Sequence, residues 1–275
     1  MHARRNDGRK FSAFTLVELL VVIGVITVLA GLLLAAVSRA QLAARVAKCA
    51  GNLSQIYKAA RTYANNFNQV LPDLYAGLPT TEHAVHYVNN HYCRNEVTTG
   101  EGENATTTYV PAGLWLLFVH AYARSEEVYF CPNTPGSKRY GGSENPIEDD
   151  IPKMVGYAYN YFPEMATGES VLLPPEGLAA EEVGNDLAEQ RAMGFYALLA
   201  DVFFRSDEMP HWARKGLNVC FWDGSVAWVG LTARGIRWNS TTTNEDGDTV
   251  ETFSEDLDGA AAMRDSWVVL SEARK

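Results

Sequence analysis

The N-terminal part of the chain contains two stretches in which apolar residues are spaced differently. From Leu19 to Val37, nineteen consecutive residues carry no charge. As an α-helix they would span roughly 28 Å, close to the hydrocarbon thickness of a bilayer. From Leu42 to Phe67, apolar residues recur at steps of four and three, which is typical of one helix face. The two patterns predict one continuous helix that begins near residue 14 and ends near Asn66.

The second stretch is amphipathic. Its apolar stripe consists of Leu42, Val46, Cys49, Leu53, Ile56, Ala60, Tyr63 and Phe67, and its polar face of Gln41, Arg45, Lys48, Asn52, Gln55, Lys58 and Arg61. We expect the stripe to pack on a globular head. A coiled-coil dimer is the alternative, but the small residues at 43, 44, 47, 50 and 51 favour close packing on a sheet or a neighbour.

Beyond residue 67, short apolar runs alternate with polar segments, which predicts an α+β head built on an antiparallel sheet. We predict a short buried helix in 112–122 and strands in 128–132, 155–162 and 194–204. Residues 217–230 form the clearest pattern, two strands joined by a two-residue turn at Asp223 and Gly224. Polar loops are expected at 98–109 and 133–153, an acidic loop at 163–192, and a last strand or docking segment at 265–270.

The charge distribution bears on location and partners. The chain has 23 basic and 33 acidic residues, a net charge of −10, which argues against a nucleic-acid binder. Four basic residues precede the apolar run: Arg4, Arg5, Arg9 and Lys10. By the positive-inside tendency this end faces the cytoplasm, and the head lies outside it.

Glu18 interrupts the apolar pattern near its start. A carboxylate at the edge of a membrane segment is costly unless it stays in the headgroup region or is paired. A secretory signal peptide cut before Gln41 and a plain transmembrane anchor are two interpretations of this region. Neither accounts for the carboxylate.

Residues 13–18, with the sequence AFTLVE, resemble the processing site of type IV prepilins and type II secretion pseudopilins. In that family a prepilin peptidase cuts after a small residue and methylates the new N-terminal Phe, and Glu occupies the fifth mature position. The resemblance implies cleavage between Ala13 and Phe14, methylation of Phe14, and pairing of Glu18 with the Phe14 amine of a neighbouring subunit.

The resemblance also implies an organisation and a role. It divides the chain into a leader (1–13), a transmembrane and assembly helix (14–38), an amphipathic helix (39–67) and an extracytoplasmic head (68–275). The expected role is a structural, non-enzymatic subunit of a secretion or pilus-like filament in the cytoplasmic (inner) membrane, with a periplasmic head. Its partners would be pilin-like subunits, prepilin peptidase, the assembly platform and lipid. The alternative is a membrane-anchored binding module that does not polymerise.

A second resemblance concerns the C-terminal part. Some pseudopilin-like proteins carry a processing-associated region with His, nine residues and then Asp-Gly. Here eleven residues separate His211 from Asp223 and Gly224. A catalytic His–Asp pair is disfavoured because no nucleophile stands in a context such as G-x-S-x-G. We therefore interpret Asp223 as a turn residue.

The remaining candidates are ligands and thiols. Major pseudopilins carry a calcium loop near the C-terminus, which makes the acid-rich segment 244–259 a candidate through Asp246, Asp248, Glu251 and Asp256, with a solvated acidic loop as the alternative. No other cofactor is expected, and His83, His86 and His91 are expected to be solvated or partly buried. Among the four cysteines we predict one disulfide, Cys49 with Cys131, and a buried free thiol at Cys220.

Overall fold

The fold is described from a computed structural model. It covers residues 15–67, 71–74, 91–100, 105–134, 141, 145–160, 197–206, 209–211, 216–230, 236–244 and 247–254, together with 262, 263, 265–267, 269 and 270. The chain divides into two compact units, Met1–Ala44 and Arg45–Lys275. The architecture is α+β, as predicted: one long N-terminal helix and a head of antiparallel sheets.

Helix α1 runs from Leu16 to Asn66 and crosses the boundary between the two units. In the first unit its large apolar side chains are exposed, from 47% at Val22 to 78% at Leu16. Among the described residues, α1 is a helix that is long enough and apolar enough to cross a membrane. Such a surface is unfavourable in water, so this part of α1 requires lipid or other helices around it.

The second part of α1 packs through the predicted stripe. Its apolar residues from Cys49 to Tyr63 are buried, whereas Phe67 is 39% exposed. One prediction for the opposite face is wrong: Asn52 is buried. Its amide donates to the Phe130 carbonyl at 3.3 Å and to the Tyr157 hydroxyl at 3.0 Å, and these hydrogen bonds compensate for the burial of a polar group.

The head contains ten strands within the described residues. They are β1 (Arg94–Thr99), β2 (Thr106–Pro111), β3 (Ile147–Glu148), β4 (Ile151–Pro152), β5 (Tyr157–Tyr159), β6 (Ala197–Asp201), β7 (Gly216–Phe221), β8 (Val226–Gly230), β9 (Ser240–Thr243) and β10 (Thr249–Thr252). β5, β6, β7 and β8 form a four-stranded antiparallel sheet in that order. The other strands form the two-stranded pairs β1–β2, β3–β4 and β9–β10.

Two apolar clusters flank the main sheet. Side chains of β7 alternate between the two clusters, as the sequence predicted. Cys220 belongs to the cluster that contains α1 residues, whereas Leu217, Val219 and Phe221 belong to the other cluster. The second cluster is completed by C-terminal side chains, including Trp267. The described residues between 262 and 270 are helical, so the predicted docking segment is present but is not a strand.

Several local predictions are corrected by the structure. In the predicted loop 98–109, residues 98, 99 and 106–109 lie in the paired strands β1 and β2, because threonines favour strands, and Gly100 follows β1 with a positive φ of 89°. The predicted loop 133–153 includes the β3–β4 pair. The predicted strand 128–132 begins in the 3₁₀ turn η1 (Glu126–Tyr129). The predicted helix in 112–122 is confirmed as α2, Trp115–Val119.

The β7–β8 turn is longer than predicted. Phe221 N–H donates to the Ser225 carbonyl at 2.9 Å, so three residues form the loop rather than two. Gly224 has a φ of 81°, whereas Asp223 stays outside the positive-φ region. The Asp223 Oδ1 accepts from the Ser225 N–H at 2.9 Å, which is an Asx turn. The Tyr57 hydroxyl of α1 donates to the Trp222 carbonyl at 2.6 Å, so this turn docks on the helix.

Replacing Gly224 should weaken this docking. A Cβ at Gly224 would lie 2.5 Å from the Tyr57 ring, on a backbone that side chains rarely adopt. We expect Gly224→Ala to lower the free energy of unfolding of the head by about 2–4 kcal/mol. Gly230→Ala is the matched control, because nothing lies within 4 Å of its Cβ position. Tryptophan fluorescence during urea unfolding measures both; equal stability of the two variants would contradict the docking role.

Candidate functional site

The start of α1 is closed by a reciprocal pair of side chains. Glu18 Oε2 accepts hydrogen bonds from the Thr15 N–H at 2.9 Å and from the Thr15 hydroxyl at 2.8 Å. In return the Glu18 N–H donates to the Thr15 hydroxyl oxygen at 3.2 Å. This is a capping box, which satisfies backbone donors that the first helical turn leaves without partners.

The cap leaves half of the Glu18 carboxylate available. Both Thr15 donors meet Oε2, and Oε1 has no hydrogen-bond partner in the part of the chain that the structure describes. The side chain is exposed. Glu18 can therefore accept an external cation without breaking the cap. The predicted processing residues Ala13 and Phe14 lie outside the described residues.

A second cluster of functional groups lies inside the head. Cys49 of α1 and Cys131, which follows η1, are joined by a disulfide with an S–S distance of 2.05 Å, the pair that the sequence analysis selected. Both residues are fully buried, and Cys220 is a buried free thiol, as is Cys93. The bond closes a sequence separation of 82 residues between the helix and the head.

His211 lies against this disulfide rather than in the hairpin turn with which the sequence grouped it. It is 1% exposed. Its Nε2 is 3.3 Å from Cys131 Sγ and 3.7 Å from Asp201 Oδ2. In the fold His211 is buried beside Cys131, whereas Asp223 and Gly224 form the β7–β8 turn, and a processing-associated role for the three residues stays a prediction.

Asn133 fixes the orientation of the His211 ring. Asn133 Nδ2 donates to the Pro210 carbonyl at 2.9 Å and lies 3.1 Å from His211 Nδ1, while Asn133 Oδ1 accepts from Arg45 at 3.2 Å. Reversing the amide would place oxygen against the Pro210 carbonyl and nitrogen against Arg45. His211 Nδ1 is therefore an acceptor, and the neutral ring carries its hydrogen on Nε2.

Asp201 is the acidic member of the cluster. It ends β6, is fully buried, and accepts through Oδ2 from the Asn218 N–H at 2.7 Å and the Asn218 amide at 3.0 Å. Its Oδ1 has no hydrogen-bond partner among the described residues. Burial raises the pKa of Asp201 from 3.8 to about 7, against the lowering effect of the two Asn218 hydrogen bonds.

The four groups are close enough to suggest a metal site, but their chemistry does not suit one in this state. One ligand atom each from Cys49, Cys131, Asp201 and His211 lies within 4.8 Å of the others. Sulfurs in a disulfide are not the thiolates that zinc prefers, and a hydrogen on Nε2 blocks that nitrogen.

Sequence reasoning missed Asp201 and Asn133; a carboxylate ending the apolar run ALLAD was the available signal for Asp201.

Comparison with known proteins bears on the N-terminus. Residues 8–34 match the family model described as the prokaryotic N-terminal methylation motif. This segment carries a prepilin-type processing motif. No curated protein and no solved structure matches the chain significantly. The motif and the exposed apolar helix together indicate a membrane-anchored protein with pilin-like or pseudopilin-like processing.

The other sequence candidates fall in different places. Asp248 and Glu251 are exposed, Asp248 next to β10 and Glu251 within it, while Asp246 and Asp256 lie outside the described residues, so the calcium site stays a prediction. His91 is 3% exposed and contacts the Tyr92 and Phe204 rings. His83 and His86 lie outside the described part of the chain.

The disulfide should contribute strongly to the stability of the head. For a closed loop of 82 residues, chain entropy predicts a contribution of about 4–5 kcal/mol. We expect Cys49→Ala with Cys131→Ala to lower the free energy of unfolding by up to that amount. All six tryptophans lie in the second unit, so fluorescence during urea unfolding reports on it. Reductant should lower the stability of the wild type but not that of the double variant. Equal stability of the wild type and the double variant without reductant would refute the prediction.

The buried Asp201 should make stability depend on pH. Because the pKa of Asp201 is higher in the folded state than in the unfolded state, folding favours the protonated carboxyl. The contribution of Asp201 to the free energy of unfolding is therefore fully present below about pH 4 and is lost as the pH rises through about 7. Asp201→Asn mimics the protonated form. We expect it to exceed the wild type in unfolding free energy at pH 8 by about 2–4 kcal/mol, with a smaller difference at pH 5. Asp265→Asn, at an exposed position, is the control; parallel curves for wild type and Asp201→Asn would contradict the assignment.

Proposed function

We propose that this protein is a structural subunit of a membrane-anchored filament, of the type II secretion or type IV pilus kind. Prepilin peptidase would cut it between Ala13 and Phe14 and methylate Phe14. The observation that carries the proposal is the match of residues 8–34 to the N-terminal methylation motif, on a helix whose apolar surface is exposed.

The first part of α1 is suited to two environments in succession. Its apolar side chains are exposed all around the helix, so it can lie in lipid before assembly and among other helices afterwards. Apart from the nearby backbone of the helix itself, no atom lies within 4 Å of the positions that Cβ atoms would take at Gly24 and Gly31. Such small residues allow the backbones of neighbouring helices to approach closely. The pilin-like partner is therefore expected to be a helix of the same kind.

Glu18 supplies the register of this packing. Cleavage would leave the α-amine of Phe14 as a cation at neutral pH. Since Oε1 of Glu18 is unoccupied within the described residues, it can accept the ammonium of a neighbouring subunit while Thr15 keeps the helix capped. An ion pair in an apolar environment favours one register, because any other leaves both charges uncompensated.

The head belongs outside the cytoplasm in this proposal. The basic residues before the apolar run favour an N-terminus inside, and the Cys49–Cys131 disulfide is typical of an oxidising compartment. The protein would thus cross the cytoplasmic membrane once, with a periplasmic or otherwise extracytoplasmic head. Its partners would be pilin-like subunits, prepilin peptidase, the assembly platform and membrane lipid. Its role is structural and non-enzymatic.

Replacing Glu18 in two ways separates the charge from the cap. Glu18→Gln keeps an amide oxygen that can accept from Thr15, but it removes the charge. Glu18→Ala removes both. We expect each variant to abolish filament assembly, measured by shearing and sedimentation of filaments from cells, while the membrane content of the chain is retained.

The comparison between the two variants decides what Glu18 does. If Glu18→Gln assembles normally and Glu18→Ala does not, the carboxylate acts only as a helix cap. If both assemble normally, the filament proposal fails. The chain would then be better described as a membrane-anchored binding module that does not polymerise.

A further inference from the structure

We propose that the Cys49–Cys131 disulfide is a site of thiol exchange, at which an incoming thiol bonds to Cys49 and Cys131 is the leaving sulfur. The inference concerns the head alone and does not depend on filament assembly.

The asymmetry of the two sulfurs carries the proposal. His211 Nε2 lies 3.3 Å from Cys131 Sγ, and the tautomer imposed by Asn133 places a hydrogen on that nitrogen. A donor at this position stabilises negative charge on Cys131. In thiol–disulfide exchange the better-stabilised thiolate leaves faster, so attack is directed to the other sulfur.

Asp201 can exchange a proton with the sulfur of Cys131. Its carboxylate lies within 4.8 Å of the sulfur, and its Oδ1 has no hydrogen-bond partner among the described residues. Burial favours its protonated form. Other groups that face it are His211, at 3.7 Å, Asn218, which donates two hydrogen bonds, and Tyr157, whose pKa is raised by burial and also by the Asp201 charge. Asp201 can therefore give a proton to the Cys131 thiolate or take one from its thiol.

The step balances with a thiol as the co-reactant. An external thiolate attacks Cys49 Sγ, a new S–S bond forms there, and the bond from Cys49 to Cys131 breaks. Cys131 leaves with the electron pair and takes a proton from Asp201 or solvent. The incoming thiol is thereby oxidised and Cys131 is reduced; a second thiol, or the reverse step, releases Cys49.

The disulfide lies near a partly exposed and positively charged part of the head. Both sulfurs are buried, but two side chains in contact with His211 are partly exposed, Asn133 and Trp228, the latter at 38%. The turn of α1 that leads to Cys49 carries the exposed cations Arg45 and Lys48. These charges attract an anionic thiolate to this part of the head, and the leaving-group preference for Cys131 directs the attack to Cys49.

Mass spectrometry of the trapped adduct tests the proposal directly. The full-length oxidised chain in detergent is incubated with reduced glutathione, quenched with acid, alkylated with N-ethylmaleimide and digested with trypsin. Cys49 then lies in peptide 49–58 and Cys131 in peptide 125–138. We expect glutathione on Cys49 and maleimide on Cys131, in about tenfold excess over the reverse arrangement. Equal adducts, an excess on Cys131, or no adduct on the folded chain would overturn the proposal.

Two variants test the role of His211. His211→Leu removes the donor and should bring the ratio of the adducts close to one. His211→Gln keeps an N–H donor and should retain the excess on Cys49. An unchanged ratio of the two adducts in His211→Leu would show that His211 does not direct the attack to Cys49. Because the ratio in the wild type is informative by itself, the test survives if His211→Leu fails to fold.

Discussion

The exposed apolar surface of the first part of α1 is the constraint on which the rest of the account depends. A helix with side chains such as Leu16 and Leu32 at least 70% exposed cannot remain in water without association. Lipid and a bundle of like helices are the two surroundings that resolve this. In both, one carboxylate near the helix start must be compensated, and the Thr15–Glu18 cap compensates only one of its two oxygens.

The second part of α1 is held by a different set of interactions. It packs its stripe on one face of the main sheet, and two specific contacts add to this packing. The Cys49–Cys131 disulfide ties the helix to the segment after η1, and the Tyr57 hydroxyl binds the β7–β8 turn. The helix α1 is therefore continuous, but its first part exposes an apolar surface that can associate with lipid or other helices, whereas its second part is packed on the head.

Features set by nearby residues could be predicted from the sequence, and those set by distant ones could not. The helix follows from its periodicity, and the β7 alternation predicted which side chains share a face. The burial of Asn52 depends on Phe130 and Tyr157, far along the chain, so its position on a polar face was misleading. The buried cluster is the extreme case: Asp201, His211 and Cys131 come from separate segments, and only the fold brings them together.

The N-terminal mass of the chain extracted from membranes of cells that possess the processing peptidase tests the central claim most directly. The account predicts a mature chain that begins with N-methylated Phe14. A chain that keeps its first thirteen residues, or one that begins at Gln41 as after ordinary signal-peptide cleavage, would contradict it.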